Sequence, residues 1–455
     1  MTQRARIWTF GMRASFATAV VIALAFSDSG RAAPPDVPLH IKTWEFWDSY
    51  TDNEGLPASF VAAHAEFVEF GDNENTARHA AEYVAAGGKY AILYSDPHLV
   101  PQCRAPFTVP AGKCAGALGD TRPESAWLHA HDGSRLHGTW GPQGVVQDAL
   151  DPGSEATQAA YRRYTQRRAN GTVVNAFECD DTDAGYSLKY FHWRFHTDCE
   201  RCGAREYDRL PNADAAWLSA QRALAASAAR PLFFNGPSSN RVDDRVLFRS
   251  RNALGAIAES AFSTFAYRVN DTDGSIENRW AAQQNKILNV VAARRFIDVL
   301  DYQSNMDDPV GDRLYSLASI WLSYDPNYTI AQNQIPTSTK TAHGFSVTFV
   351  PEFAIVPTEP WTTARTDITT LRAVNGLYVR EFRRCYNAGA PIGACAAIVN
   401  PSKENWRNLR AAGLRQHYTR MLRLDGASSY AGGLARFEVA TPDRLAPVSG
   451  LILSQ

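Results

Sequence analysis

The run Asn175-Ala-Phe-Glu-Cys-Asp-Asp-Thr-Asp183 places four carboxylates, Glu178, Asp180, Asp181 and Asp183, within six residues, the most acidic point of the chain. A solvated turn accounts for Asp181 to Asp183 but not for Glu178, which sits inside an apolar stretch. Read as a strand, period-two alternation puts Glu178 and Asp180 on one face and Cys179 and Asp181 on the other. Carboxylates this close repel one another, so some must be hydrogen-bonded, protonated or bound to a metal. Two further apolar runs also end in carboxylates, Leu254-Gly-Ala-Ile-Ala-Glu259 and Ile297-Asp-Val-Leu-Asp301. Earlier runs end at Trp44 to Asp48 (with Trp47 between), at Ser95-Asp96-Pro97, and near His129, His131 and Asp132. Singly, each reads as an ordinary turn or helix cap; their recurrence at the ends of apolar runs is the signal. Two carboxyl groups flanking a bond, one protonated as an acid and the other ionised, are what hydrolysis of a glycosidic bond requires. Trp and Tyr suit the flat apolar faces of sugars, although aromatic residues more often fill cores.

The elements that must hold these residues alternate in type. Strand-like runs at His40–Trp44, Ala65–Phe70, Tyr90–Tyr94, Trp127–Ala130, Val173–Cys179, Pro231–Asn235, Leu254–Glu259, Ile297–Tyr302 and Thr329–Gln332 are interleaved with helical patterns. The helices are expected at Asn75–Ala86, Ser154–Ala169, Ala213–Ala229, Ile276–Arg295 and Gly311–Ser323. About eight such units predict an α/β chain with a (β/α)8 TIM barrel over residues 37–360, and function at the C-terminal ends of its strands. A doubly wound sheet would want a Gly-rich phosphate turn after the first strand, and none is present. Beyond about residue 360 the pattern changes to short β runs, Gly376–Phe382, Ala396–Asn400, Leu434–Ala440 and Leu451–Leu453, divided by turn-rich segments. This predicts a small antiparallel β domain over residues 365–455, with one helix at Lys403–Arg415 capped by Ser402. No repeat or low-complexity linker separates the two parts, so they are expected to pack together.

FECDDTD at a strand end, RPLFFNG at Arg230–Gly236, a strand ending Ala258-Glu-Ser260, and a terminal β piece with YVREF and IVNPS form a recognisable layout. It resembles the glycoside hydrolases of TIM-barrel type and is similar in layout to the α-galactosidase-type barrels, over roughly Val37 to the C-terminus. In those barrels a nucleophilic Asp follows the fourth strand and the acid/base carboxylate follows the sixth. The resemblance therefore implies Asp180 as nucleophile and Glu259 as acid/base, with Asp181 competing for the first role because a one-residue slip exchanges them. In the related barrels the acid/base is often Asp, a departure at Glu259. Glu178, Asp181, Asp301, Trp44, Trp47, Asp96 and Asn235 are the expected supporting or substrate-binding residues. Glu259 is expected to be buried beside aromatic residues.

Composition narrows the classes. Hydrophobic residues make up 45% and charged residues 20% of the 455, which excludes disorder, collagen and coiled coil. The 46 Lys+Arg against 47 Asp+Glu leave a net charge of −1, without the basic surface a nucleic-acid partner needs. Residues 1–32 read as a signal peptide, with Arg4, Arg6 and Arg13 ahead of the apolar run Ala14–Phe26 and the small residues Gly30 and Ala32 around a cleavage site. Its removal would take away four Arg and one Asp, moving the net charge from −1 to −4; retention as a membrane anchor is the alternative. No later apolar run is long enough to span a bilayer, so no membrane contact is expected after cleavage. Six of the seven cysteines fall into close pairs, Cys103 with Cys114, Cys199 with Cys202 and Cys385 with Cys395, which suits export to an oxidising compartment. Cys179 is left over as a buried free thiol.

The sequence thus predicts a secreted or periplasmic glycoside hydrolase that cleaves an O-glycosidic bond of an extracellular poly- or oligosaccharide with no cofactor. One alternative is a carbohydrate-binding barrel without catalysis. Another is metal-dependent chemistry in which Glu178, Asp180 and Asp181 hold Ca²⁺ or Mg²⁺; no spacing of His and Glu supports zinc. Retention or inversion of configuration depends on the distance between the carboxyl groups and is left open by the sequence.

Overall fold

The structure is a computed structural model. It describes residues 42–47, 57–71, 75–101, 123–140, 145–180, 182, 203–235, 250–259, 261–262, 275–302, 309–336, 345–347, 351–373, 376–401, 418–422 and 434–440. The expected signal peptide, the helix at Lys403–Arg415, the run at Leu451–Leu453, and the pairs Cys103/Cys114 and Cys199/Cys202 lie outside the described residues.

Eight strands run parallel in chain order: Trp44–Trp47, Phe67–Phe70, Tyr90–Leu93, Ala176–Cys179, Leu232–Asn235, Ala253–Glu259, Phe296–Tyr302 and Thr329–Pro336. They are numbered first to eighth below. A ninth, Phe345–Val347, joins the eighth antiparallel. The sheet curls: Thr43, just ahead of the first strand, forms a parallel bridge with Ala331 of the eighth, and the Ala331 N–H donates to the Lys42 carbonyl at 2.9 Å. The period-two pattern decides what each face meets. Trp44, Phe67, Ile92, Ala176, Phe233, Ile257, Leu300 and Ile330, one from each strand, pack together on the concave side. Their neighbours Val68, Phe70, Leu93, Phe177, Cys179 and Phe234 face outward against Tyr83, Tyr161, Tyr164 and Leu224 of the surrounding helices. Aromatic rings fill the lower end of the concave side, where Phe67 stacks on Tyr90 at 4.5 Å and meets Phe296 edge-on at 5.1 Å.

Gly255 belongs to this plug. A Cβ there would lie 2.5 Å from the Phe233 ring and 2.5 Å from the Phe296 carbonyl. Gly255→Val is therefore expected to overpack the interior and cost about 1–3 kcal/mol, read by denaturant unfolding.

The expected strand at Trp127–Ala130 is not one of the eight. Trp127 and His129 make only isolated bridges, to Leu150 and Arg135, beside a three-stranded antiparallel sheet of Leu99–Pro101, His137–Trp140 and Val145–Ala149. This excursion leaves the main sheet after the third strand and returns through the helix Glu155–Gly171, capped by the Ser154 hydroxyl, which accepts from the Ala156 N–H. A short apolar run carries the same local signal whether it pairs centrally or in such an excursion.

The second sheet is antiparallel, with strands Ile355–Pro360, Tyr378–Asn387, Ala390–Asn400, Leu434–Ala440 and Tyr418–Leu422 in that spatial order. It begins at Ile355, ahead of residue 365, because Ile355–Pro360 pairs with Tyr378–Asn387 rather than with the parallel sheet. Cys385 and Cys395 are disulfide-bonded across its central hairpin, and Cys179 is free and buried. Arg380 docks this sheet on the helix Pro309–Ser323. Its buried Nη1 donates to the carbonyls of Trp321, Leu322 and Tyr324 at 3.0, 3.2 and 2.8 Å, satisfying groups that a helix C-terminus leaves unpaired.

Candidate active site

The fourth, fifth and sixth strands end side by side, and each delivers one polar side chain to the same point. Asp180 follows Cys179 at the end of the fourth, Asn235 closes the fifth and Glu259 closes the sixth. The Asn235 amide nitrogen donates to Asp180 Oδ1 at 2.8 Å and to Glu259 Oε2 at 3.0 Å. One amide nitrogen thus spends both its hydrogens on two carboxylates. The two accepting oxygens can be no further apart than those bonds laid end to end, well inside the ~9.5 Å limit for carboxyls that flank one glycosidic bond.

A tyrosine completes each carboxylate. The Tyr94 hydroxyl, just past the third strand, donates to Asp180 Oδ2 at 2.7 Å. The Tyr302 hydroxyl, closing the seventh strand, donates to Glu259 Oε1 at 2.7 Å. Burial and the Glu259 charge push the Tyr302 hydroxyl far above the usual phenol range, so it remains a donor. The main chain of Asp180 is fixed as well: its N–H donates to the Ser95 carbonyl at 2.9 Å, and its carbonyl lies 2.9 Å from His98 Nδ1. His98 is buried and held neutral chiefly by desolvation. With Nδ1–H given to that carbonyl, Nε2 must accept, so the Gln221 amide 2.9 Å away is best oriented with its NH2 toward the ring.

Beneath this rim lies a layer of buried acids. Glu69 and Glu178, 0% and 3% exposed, meet carboxyl to carboxyl on the concave side, and Trp44 Nε1 donates to Glu69 Oε2 at 3.2 Å. Burial raises the proton affinity of both, with each other's charge and those of Asp180 and Glu259 adding to it for Glu178. Asp298, also fully buried, is raised by desolvation and by Glu69, and neither of its oxygens has a donor among the described residues.

The sequence-predicted residues divide as follows. Asp180, Glu259, Asn235 and, one layer down, Glu178 come together. Trp44 is 1% exposed, edge-on to Phe233 at 4.8 Å, and serves the floor through Glu69, so it offers no open face for a sugar. Asp301 faces away from the concave side, where its carboxylate accepts from the Phe262 N–H at 2.7 Å and from the Ser316 hydroxyl. Asp96 forms a turn, accepting from the N–H groups of His98 and Leu99 at 2.9 and 3.0 Å. Asp181 and the Trp47 side chain lie outside what is described. Glu259 is exposed rather than buried. Among the described residues, no group of three or more His, Cys, Asp or Glu is arranged to hold a metal ion.

Tyr94, Tyr302, Glu69, Asp298 and His98 join the site without having stood out in the sequence, although signals exist. Tyr302 follows Asp301 by one residue, and strict alternation turns it inward where Asp301 turns out. Glu69 interrupts the apolar run Phe67–Phe70 just as Glu178 interrupts its own.

No family model matches the chain, and no curated protein matches it. Among solved structures, it is similar to the glycoside hydrolase domain of PelA from Pseudomonas aeruginosa, at 12% identity over 68% of this chain and 98% of that one, with a TM-score of 0.40. It is also similar to an α-galactosidase from Thermus thermophilus (15% identity, 64% of this chain and 58% of that one, TM-score 0.36). A third is the α-galactosidase AgaA from Geobacillus stearothermophilus, solved in complex with stachyose (10% identity, 90% and 54%, TM-score 0.38). The chain spans little more than half the length of each α-galactosidase.

Proposed function

We propose that this protein is a glycoside hydrolase that retains anomeric configuration, built on a closed (β/α)8 barrel and exported to act on an extracellular poly- or oligosaccharide. The observation that carries the reading is the single Asn235 amide shared between Asp180 and Glu259. It keeps their nearest oxygens closer than the ~6.5–9.5 Å that an inverting enzyme leaves for water, and in reach of the ~5–5.5 Å of a retaining one. The Thr43–Ala331 bridge supports closure of the barrel, and the charged and apolar segments of residues 1–32 support export.

In this reading the Asp180 carboxylate attacks the anomeric carbon while the Glu259 carboxylic acid gives its proton to the departing glycosidic oxygen. The C–O bond breaks and a glycosyl ester forms on Asp180. Glu259, now a carboxylate, takes a proton from water as the water oxygen attacks the same carbon; the ester opens and Glu259 is an acid again. Tyr94 and Asn235 orient the nucleophile by donating to it, and Tyr302 orients the acid.

The protein should release reducing ends from at least one member of a panel of polysaccharides and oligosaccharides, with the Asp180→Asn protein as blank and EDTA present to exclude a metal requirement. A carbohydrate-binding barrel would retain a glycan on the same panel without turnover. Asn235→Ala should lower kcat/KM by about 10²-fold, the cost of misplacing a reacting group by about an ångström, with the far-ultraviolet circular dichroism unchanged.

A further inference from the structure

We propose that Glu69 and Glu178 form a proton-sharing acid pair that acts as a positioning floor for Asp180 and Glu259. The pair stands on geometry. Glu69 comes from the second strand and Glu178 from the fourth, and their carboxyls are in contact in an interior lined by Trp44, Ile92, Ala176 and Ile257. Apart from that contact, neither Glu69 Oε1 nor Glu178 Oε2 has a donor among the described residues. Two carboxylates cannot both be ionised side by side in such a setting, so at least one proton stays between them. Glu178 lies two residues before Asp180 on the same face of the strand, which puts the pair directly under the reacting groups.

The groups facing the pair are the Trp44 indole from the first strand, Asp180 from the fourth, Glu259 from the sixth, and Asp298 and Tyr302 from the seventh. The charges acting on it most strongly, Asp180 and Glu259, are acidic. Burial and these anions raise the pair's proton affinity. The Asp180 anion holds the proton on the pair, and the pair, kept from becoming a dianion, adds less negative charge beneath Asp180 and Glu259, which leaves both carboxyls where the Asn235 amide gathers them. In a hydrolase that keeps nucleophile and acid in register. This last step rests on the hydrolase reading; the first does not.

The test that needs no substrate is carbon-13 titration of glutamate side-chain carboxyls in the full-length protein, with Glu69→Gln and Glu178→Gln for assignment. At least one glutamate carboxyl signal assigned to the pair should still be in its protonated position at neutral pH, and Asp180→Asn should make it titrate at lower pH. Signals in the ordinary glutamate range, or a titration unmoved by Asp180→Asn, would overturn the pair. Unfolding gives a second measure. The folded state keeps protons that the unfolded chain has released, so stability is full below the ordinary glutamate range and falls as pH rises towards the pair's own titration. The slope is about tenfold in the folding equilibrium per pH unit for each proton kept, and the double glutamine variant should lose it; an unchanged slope counts against the pair even if a single variant folds poorly. With a substrate in hand, Glu69→Ala should lower kcat with KM little changed, and Glu69→Gln, a standing neutral group of the same shape, should recover most of the loss; equal losses in the two variants remove the positioning role. If the intact protein turns over nothing, the hydrolase reading fails while the carboxyl titration still decides the pair.

Discussion

Asp180→Asn should reduce turnover by about 10⁴-fold or more, the scale on which removal of a covalent nucleophile acts. Folding should be nearly untouched, because Asp180 sits at the rim and amide for carboxylate keeps its shape. The expected outcome has a stereochemical signature. Asp180→Gly supplied with azide should yield a glycosyl azide of inverted configuration, since azide then takes the place of the nucleophile in a single displacement. Glu259→Ala with azide should yield the retained azide, since Asp180 still forms the ester that azide opens. Glu259→Gln without azide should cost about 10²–10⁴-fold, the range for a positioned general acid, and less with a leaving group that departs without a proton. Opposite stereochemistry in the two rescues would exchange the roles, and no rescue in either would place the chemistry elsewhere.

Arg380→Met should destabilise the fold more than Gly255→Val does, by about 3–5 kcal/mol, the scale of leaving several buried acceptors unpaired at once. Three carbonyls at the C-terminus of the helix Pro309–Ser323 depend on its Nη1, and a buried acceptor left without its donor costs ~1–3 kcal/mol. Met keeps much of the aliphatic bulk, so the loss measures the guanidinium rather than a cavity. Burial lowers the Arg380 pKa to about 10, which leaves it charged at neutral pH. Urea unfolding should show the midpoint falling with little change in slope. A loss confined to the antiparallel sheet would appear as a separate early transition, whereas a single shifted transition means that the two sheets unfold together.

The sequence is most legible where one strand carries one clear pattern. The alternation around Glu178 puts Glu178 and Cys179 on opposite faces, and the structure turns Glu178 inward and Cys179 outward; the apolar runs ending at Asn235 and Glu259 locate two of the three residues that meet at the rim. Other features are less visible. Trp127–Ala130 has the texture of a strand, but pairing is a tertiary event and those residues bridge an excursion sheet instead. Asp301 draws attention ahead of Tyr302 because it is a carboxylate, while the one-residue offset decides which of them enters the concave side. Trp44 resembles a sugar platform because it ends an apolar run, yet a large ring near the axis of a curled sheet is needed to fill it. The polar floor escapes a sequence reading because Glu69 and Asp298 are isolated in their own segments, and only the convergence of the second, fourth and seventh strands makes them neighbours.

Cys179 carries a consequence for how the chain reaches this state. Its thiol is buried against the outer helices, accepts from the Thr182 hydroxyl at 3.2 Å, and is pushed up to about 12 by burial, so almost none is thiolate at neutral pH. Thiolate is the species that attacks a disulfide. In a chain with an odd number of cysteines, mispairing is then a matter of timing: before the fourth strand is covered by the helix Glu155–Gly171, Cys179 can capture a partner, and afterwards it is chemically silent. Collapse of that strand and helix thus decides, in an oxidising refolding buffer, whether Cys179 stays free. A Cys179→Ala chain should form the Cys385–Cys395 bridge faster under strong oxidant, giving up some packing in the finished protein for a simpler route to it.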